Sequence, residues 1–247
     1  MAYTNSSLAT VKILSPNHSG LRNHAIDTIT IHCVVGQCTA RSLGQLFANP
    51  ERKASSNYGI GHDGTIGLYV EEKNRSWCSG GYDKNGNPIR VNGISGSDND
   101  HRAITIEVAS DTFHPYAVTD KAYDALIDLL TDICERNNIK ELKWKGDKSL
   151  VGKVGQQNMT VHRWFANKAC PGDFLYGKHT EIANKVNERL KSKKLTTGAE
   201  IVNALVNNHG IVIHEREAAI RAINGAKDNG NFNSLYWILY KVVNGNE

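Results

Sequence analysis

Apolar and polar positions alternate into a histidine over 26–32, a period of two that predicts a buried strand. A second alternating run, Ile104-Thr-Ile-Glu-Val-Ala109, predicts a strand with Glu107 on the opposite face from Ile106 and Val108. Between them, residues 57–70 read as two alternating strands around Asp63-Gly64, a pair that favours a hairpin because such turns need positive φ. The period becomes helical over 118–137, where apolar residues recur at 123, 126, 127, 130 and 133. Residues 39–48 predict a shorter helix capped by Thr39, and 178–190 predict a helix on the outside of the sheet. Residues 79–101, rich in Gly, Asn, Asp and Ser, predict a long loop. The Lys-rich stretch 140–157 predicts a polar connection to a strand or turn entering His162.

This mixture of strands and helices predicts one α/β domain over 1–191. A polar, basic linker over 192–198 divides it from a module over 199–247, with helical patterns at 199–208, 215–226 and 233–243. So short a module buries only a small core, which predicts that it leans on the first domain or self-associates. Its aromatic stripe Tyr236, Trp237 and Tyr240 reads as core rather than as a platform for sugars.

Of the 247 residues, 40% are hydrophobic and 22% charged, ordinary for a soluble globular chain. No apolar run approaches the roughly 20 residues that cross a bilayer. The net charge of +4 suits a polyanionic partner. No dense Lys/Arg run with interleaved aromatics points to nucleic acid, so neither a nucleic-acid nor a membrane partner is expected. Five scattered cysteines, an odd number, favour reduced thiols with one available for metal, although a short-range Cys33–Cys38 bridge is conceivable.

The densest chemistry lies in Thr160-Val-His-Arg-Trp-Phe-Ala-Asn-Lys-Ala-Cys-Pro-Gly172, which brings an imidazole, an ammonium and a thiol close together before a Pro-Gly turn. With His32, the residues His162 and Cys170 supply two imidazoles and a thiolate, a three-ligand zinc set that leaves a position open for hydrolysis. Lys168 can hold developing negative charge beside such an ion, and Glu107 can carry protons. Blander readings remain for each. His32 can be a hydrogen-bonded core histidine, Cys170 a nucleophile paired with His162, Glu107 a salt-bridged strand carboxylate and Lys168 a surface cation. Tyr58 can pack at a strand end or line a cleft, and Trp77 reads as structural. Cys33, Cys38 and Cys134 read as packing thiols, and the remaining histidines, His179 among them, as surface or loop residues.

Over roughly residues 20–190 the chain resembles the zinc-dependent N-acetylmuramoyl-L-alanine amidases, the superfamily of phage lysozyme-type endolysins, wall-recycling amidases and peptidoglycan-recognition proteins. The resemblance rests on the strand ending in His32, Ser55-Ser-Asn-Tyr58-Gly-Ile-Gly-His-Asp-Gly, and Arg75-Ser-Trp77 with Gly80-Gly81. Ile104-Thr-Ile-Glu107 and His162-x5-Lys168-x-Cys170-Pro-Gly complete it. It implies a mixed β-sheet flanked by helices, with zinc in a cleft at one sheet edge. It implies that His32, His162 and Cys170 hold Zn2+, that Glu107 handles protons, that Lys168 lies beside the metal and that Tyr58 contacts substrate. The implied substrate is peptidoglycan, cut between N-acetylmuramic acid and the L-alanine of the stem peptide. Cys78 departs from the pattern, which often has His directly after the Trp, and puts local substrate contacts in doubt. The N-terminal Met-Ala-Tyr-Thr-Asn-Ser-Ser lacks the features of a secretory signal. Cytoplasmic synthesis and action on the wall after release are therefore expected, as for a phage or prophage endolysin. A cytoplasmic muropeptide-recycling amidase and a non-catalytic peptidoglycan-binding protein are the alternatives. For the helical module, wall binding and homodimer formation are both expected roles.

Overall fold

The computed structural model describes residues 3–191, 197–209, 216–228 and Leu239. The chain divides into two compact units, Met1–Leu190 and Lys191–Glu247. In the first, the strands in chain order are β1 (Val11–Lys12), β2 (His18–Leu21), β3 (Thr28–Cys33), β4 (Tyr58–Ile60) and β5 (Ile66–Leu68). They continue as β6 (Asn74–Ser76), β7 (Arg90–Val91), β8 (Ile94–Ser95), β9 (Ala103–Val108) and β10 (Met159–Val161). The helices are α1 (Ala40–Ala48), α2 (Gly96–Arg102), α3 (Asp120–Arg136) and α4 (Gly172–Lys191). Six strands form one sheet in the order β1-β5-β4-β9-β3-β10. Only the β4–β5 hairpin is antiparallel, and its turn places Gly64 at φ +84°, so the sheet is mixed as expected.

The alternation in the sequence becomes two chemically different faces. The register aligns Ile29 with Ile104, Ile31 with Ile106, Thr30 with Thr105, and His32 with Glu107. Ile29, Ile31, Ile104, Ile106 and Val108 enter one core with the buried stripes of α3 and α4, including Leu126, Leu130, Leu175 and Ile182. Both helices follow from apolar residues at helical spacing; Thr119 caps α3 by accepting from the Ala122 N–H. The opposite face is polar yet buried, and it is held by hydrogen bonds. Thr30 and Thr160 hydroxyls lie 2.7 Å apart, and Asn99 of α2 bonds both, at 2.9 and 3.0 Å.

Two expectations are corrected. Residues 79–101 are not one loop: they hold the β7–β8 hairpin and α2, which starts from a capping box between Ser95 and Asp98. His179 is not a surface residue. It is fully buried on α4, with its ring 4.4 Å from that of Trp144 and Nδ1 2.6 Å from the Leu175 carbonyl.

In the second unit, α5 (Gly198–His209) and α6 (Arg216–Asp228) share a small core of Ile201, Val202, Leu205 and Ile223. The expected helix over 233–243, apart from Leu239, lies outside the described residues, with its stripe Tyr236, Trp237 and Tyr240. So does most of the expected linker. Among the described residues, no helix is long and apolar enough to cross a membrane.

Candidate functional site

His32 and Glu107 stand side by side because β3 and β9 pair in parallel register, on the polar face at the C-terminal ends of their strands. Gly59 occupies the position beyond Glu107, so no side chain from β4 crowds the carboxylate. His162 follows β10 directly and opens a single 3-10 turn, His162–Trp164. The chain then doubles back, with the Arg163 N–H donating to the Cys170 carbonyl at 3.2 Å, and this brings Cys170 beside the histidines. Gly172 ends the loop at φ +80°, where a Cβ would lie 2.7 Å from the Tyr116 Cβ.

The outcome is a cluster of three donors. Cys170 Sγ lies 3.4 Å from His32 Nδ1, and one ligand atom from each of His32, His162 and Cys170 falls within 4.8 Å of the others. Burial holds both imidazoles below their ordinary pKa, with the neighbouring ring adding to this for His32, so each is neutral with a free lone pair. Burial pushes the Cys170 thiol well up, as does its hydrogen bond with Cys33. A cation at the cluster is what would favour the thiolate. Beside it, burial pushes the Glu107 carboxyl up to about 8, and its Oε2 has no hydrogen-bond partner among the described residues. Such a carboxyl can hold or release a proton near neutral pH. These groups open on a cleft of about 650 Å³. Leu43, Leu46 and Phe47 give it an apolar wall, and Arg52, Arg75 and Lys168 supply positive charge.

A family profile described as N-acetylmuramoyl-L-alanine amidase matches residues 22–173, more than half of the chain and all of the cluster. The chain belongs to that amidase family. Its substrate is therefore peptidoglycan and its reaction amide hydrolysis. Among solved structures, the hydrolase AmiA of Staphylococcus aureus in complex with its ligand has the same fold. It superposes with a TM-score of 0.51 at 15% identity, covering 74% of this chain and 83% of that one. A selenomethionine derivative of AmpD gives 0.49 at 21% identity, over 74% of this chain and 99% of that one. A mutant endolysin from Bacillus subtilis gives 0.46 at 17% identity, over 71% and 97%. Comparison with curated proteins gives no match.

Four of the six expected site residues of this amidase, Glu107, His162, Lys168 and Cys170, line the cleft, and the fully buried His32 sits behind them against Cys170; Tyr58 is not at the site. It pairs with Ile106 rather than Glu107, so its side chain falls on the apolar face and is fully buried. Its hydroxyl donates to Glu72 Oε1 and accepts from the Ser6 N–H, both at 2.7 Å, so its role is packing. Trp77 lines the cleft while its indole N–H donates to Ser19 Oγ at 2.7 Å. Sequence reasoning missed the segment after Trp77. Cys78 Sγ lies 3.8 Å from Glu107 Oε1, and Ser79 Oγ lies 3.4 Å from His32 Nε2. Asp100, fully buried on α2, accepts from the backbone N–H of both Cys78 and Ser79. The signals in the sequence that pointed here were Arg75-Ser-Trp77 with Gly80-Gly81 in the resemblance and the departure at Cys78.

Proposed function

We propose that the amidase is zinc-dependent, with His32, His162 and Cys170 as the metal ligands and Glu107 and Lys168 as the groups that serve the reaction. The convergence of the three donors carries this reading. Tetrahedral zinc, with sulfur at about 2.3 Å and nitrogen at about 2.0 Å, sets those two ligand atoms about 3.5 Å apart. The Cys170–His32 separation of 3.4 Å fits that set.

Zinc, when bound, supplies Lewis acidity and an activated water at neutral pH. Glu107 takes the proton from the attacking water and returns it to the leaving amine of L-alanine, a task matched to a carboxyl whose pKa lies near neutrality. Lys168, exposed at the cleft, is the cation available to hold the negative charge that develops on the carbonyl oxygen of the lactyl group. The cationic cleft and the appended helical unit favour action on the intact wall, as in an endolysin, with that unit serving wall anchoring or self-association.

Mass spectrometry of wall digests tests both the bond and the residues. Wild type is expected to release stem peptides with a free L-alanine amine. Cys170→Ser and Glu107→Ala are expected to lose at least about a hundredfold in rate. Full lytic activity after exhaustive chelation would remove the zinc reading.

A further inference from the structure

Residues 78–80 meet Glu107, His32 and His162 from one side, at consecutive positions. Cys78 Sγ faces Glu107 Oε1 at 3.8 Å, Ser79 Oγ faces His32 Nε2 at 3.4 Å, and the Gly80 carbonyl faces His162 Nε2 at 3.4 Å. A carbonyl can only accept, so His162 carries its proton on Nε2 and leaves Nδ1 as a lone pair. His32 turns its Nδ1 to Cys170 Sγ, and among the described residues its Nε2 hydrogen-bonds the Ser79 hydroxyl. The segment itself is clamped from α2. Asp100 Oδ2 accepts the Cys78 and Ser79 N–H groups at 2.9 and 2.8 Å. Gly96 packs so tightly that a Cβ there would lie 1.9 Å from the Ser79 carbonyl oxygen.

We infer that residues 78–80 form a strap that sets the tautomer of both imidazoles, with Ser79 and Asp100 as positioning residues for the site. This deepens the zinc reading and rests on it for its consequence. The Ser79 hydroxyl can accept Nε2–H, and in that arrangement His32 presents Nδ1 unprotonated toward Cys170, the side on which an ion would sit. Asp100 acts at one remove: it fixes the backbone from which the Ser79 hydroxyl and the Gly80 carbonyl project. Outer partners of this kind commonly change metal affinity by about 10- to 100-fold.

Two readouts on the full chain test the strap. In the metal-free protein, two-bond 15N–1H correlation spectra report the ring tautomers. Wild type is expected to show Nε2–H on both His32 and His162, and Ser79→Ala a mixture at His32 alone. Zinc affinity, from competition with a chromophoric chelator, is expected to fall about tenfold or more in Ser79→Ala, with the melting temperature of the metal-free protein unchanged. Asp100→Leu, which keeps size but removes the acceptor of both backbone N–H groups, is expected to weaken zinc binding and broaden both histidine signals. Wild-type tautomers and wild-type affinity in both variants would overturn the strap. A wild type that shows the stated tautomers but takes up no zinc would overturn the zinc reading and leave the strap standing.

Discussion

At the scale of single residues, the histidines show what burial alone does and does not decide. His32 and His179 are equally buried, and both are held below the ordinary imidazole pKa. What separates them is their company: a thiol and a second imidazole face His32, whereas His179 meets a helix carbonyl and the Trp144 ring. Sequence spacing carried the first distinction, because His162 and Cys170 lie on one short loop. It could not reveal that His179 is buried, since a lone polar residue inside a helix reads as exposed. Burial lowers the His179 pKa to about 4, below the 6.5 of an unfolded chain, so the unfolded state binds the extra proton between those values. Stability should be intact above pH 6.5 and fall by about 3 kcal/mol as pH drops to 4. Denaturant unfolding across that range should show the wild type losing its advantage over His179→Gln by about this amount. Parallel pH profiles for the two proteins would dismiss His179 as the source.

At the scale of elements, legibility follows the kind of energy that holds each piece. β3, β9 and α3 are written in apolar periodicity, because one face of each is removed from water. The helix α2, Gly-Ser-Asp-Asn-Asp-His-Arg, has no apolar stripe to read. Hydrogen bonds hold it instead, through Asn99 to two strand threonines and Asp100 to the Cys78–Ser79 backbone. Tyr58 was misread for a related reason. The hairpin was visible, but the register that sets which residue of β4 lies beside Glu107 is a pairing property. The same tyrosine marks another junction: its hydroxyl and the Arg136 guanidinium both bond Glu72 Oε1 at 2.7 Å, and Asn137 bonds Oε2 at 3.2 Å. This buried pair ties the end of α3 to the segment after β5. Arg136→Met leaves the Glu72 carboxylate buried without its cation, and should lower unfolding stability by about 3 kcal/mol. Glu72→Gln with Arg136→Met should recover part of that loss. A single Arg136→Met variant as stable as wild type would show that Asn137 and Tyr58 suffice.

At the scale of the whole molecule, the two helices described in the second unit were legible from periodicity. Its role was not legible, because a small core of Ile201, Val202, Leu205 and Ile223 reports only that α5 packs on α6. Physical size narrows the choice. A unit of this length is marginal alone, so it gains most from a partner surface, either wall polymer or a second copy. The first unit has its own sheet core and should keep its fold and its hydrolysis of small soluble muropeptides when residues after 195 are removed. If the second unit anchors the wall, that truncation should bind sacculi at least about tenfold more weakly, with the solution mass per particle unchanged apart from the missing residues. If it self-associates, light scattering should instead show a full-length dimer and a truncated monomer. Lysis of intact walls should fall in either case, while cleavage of soluble fragments holds. A truncated chain that binds walls, lyses them and stays monomeric like the full-length protein would leave the second unit with neither role.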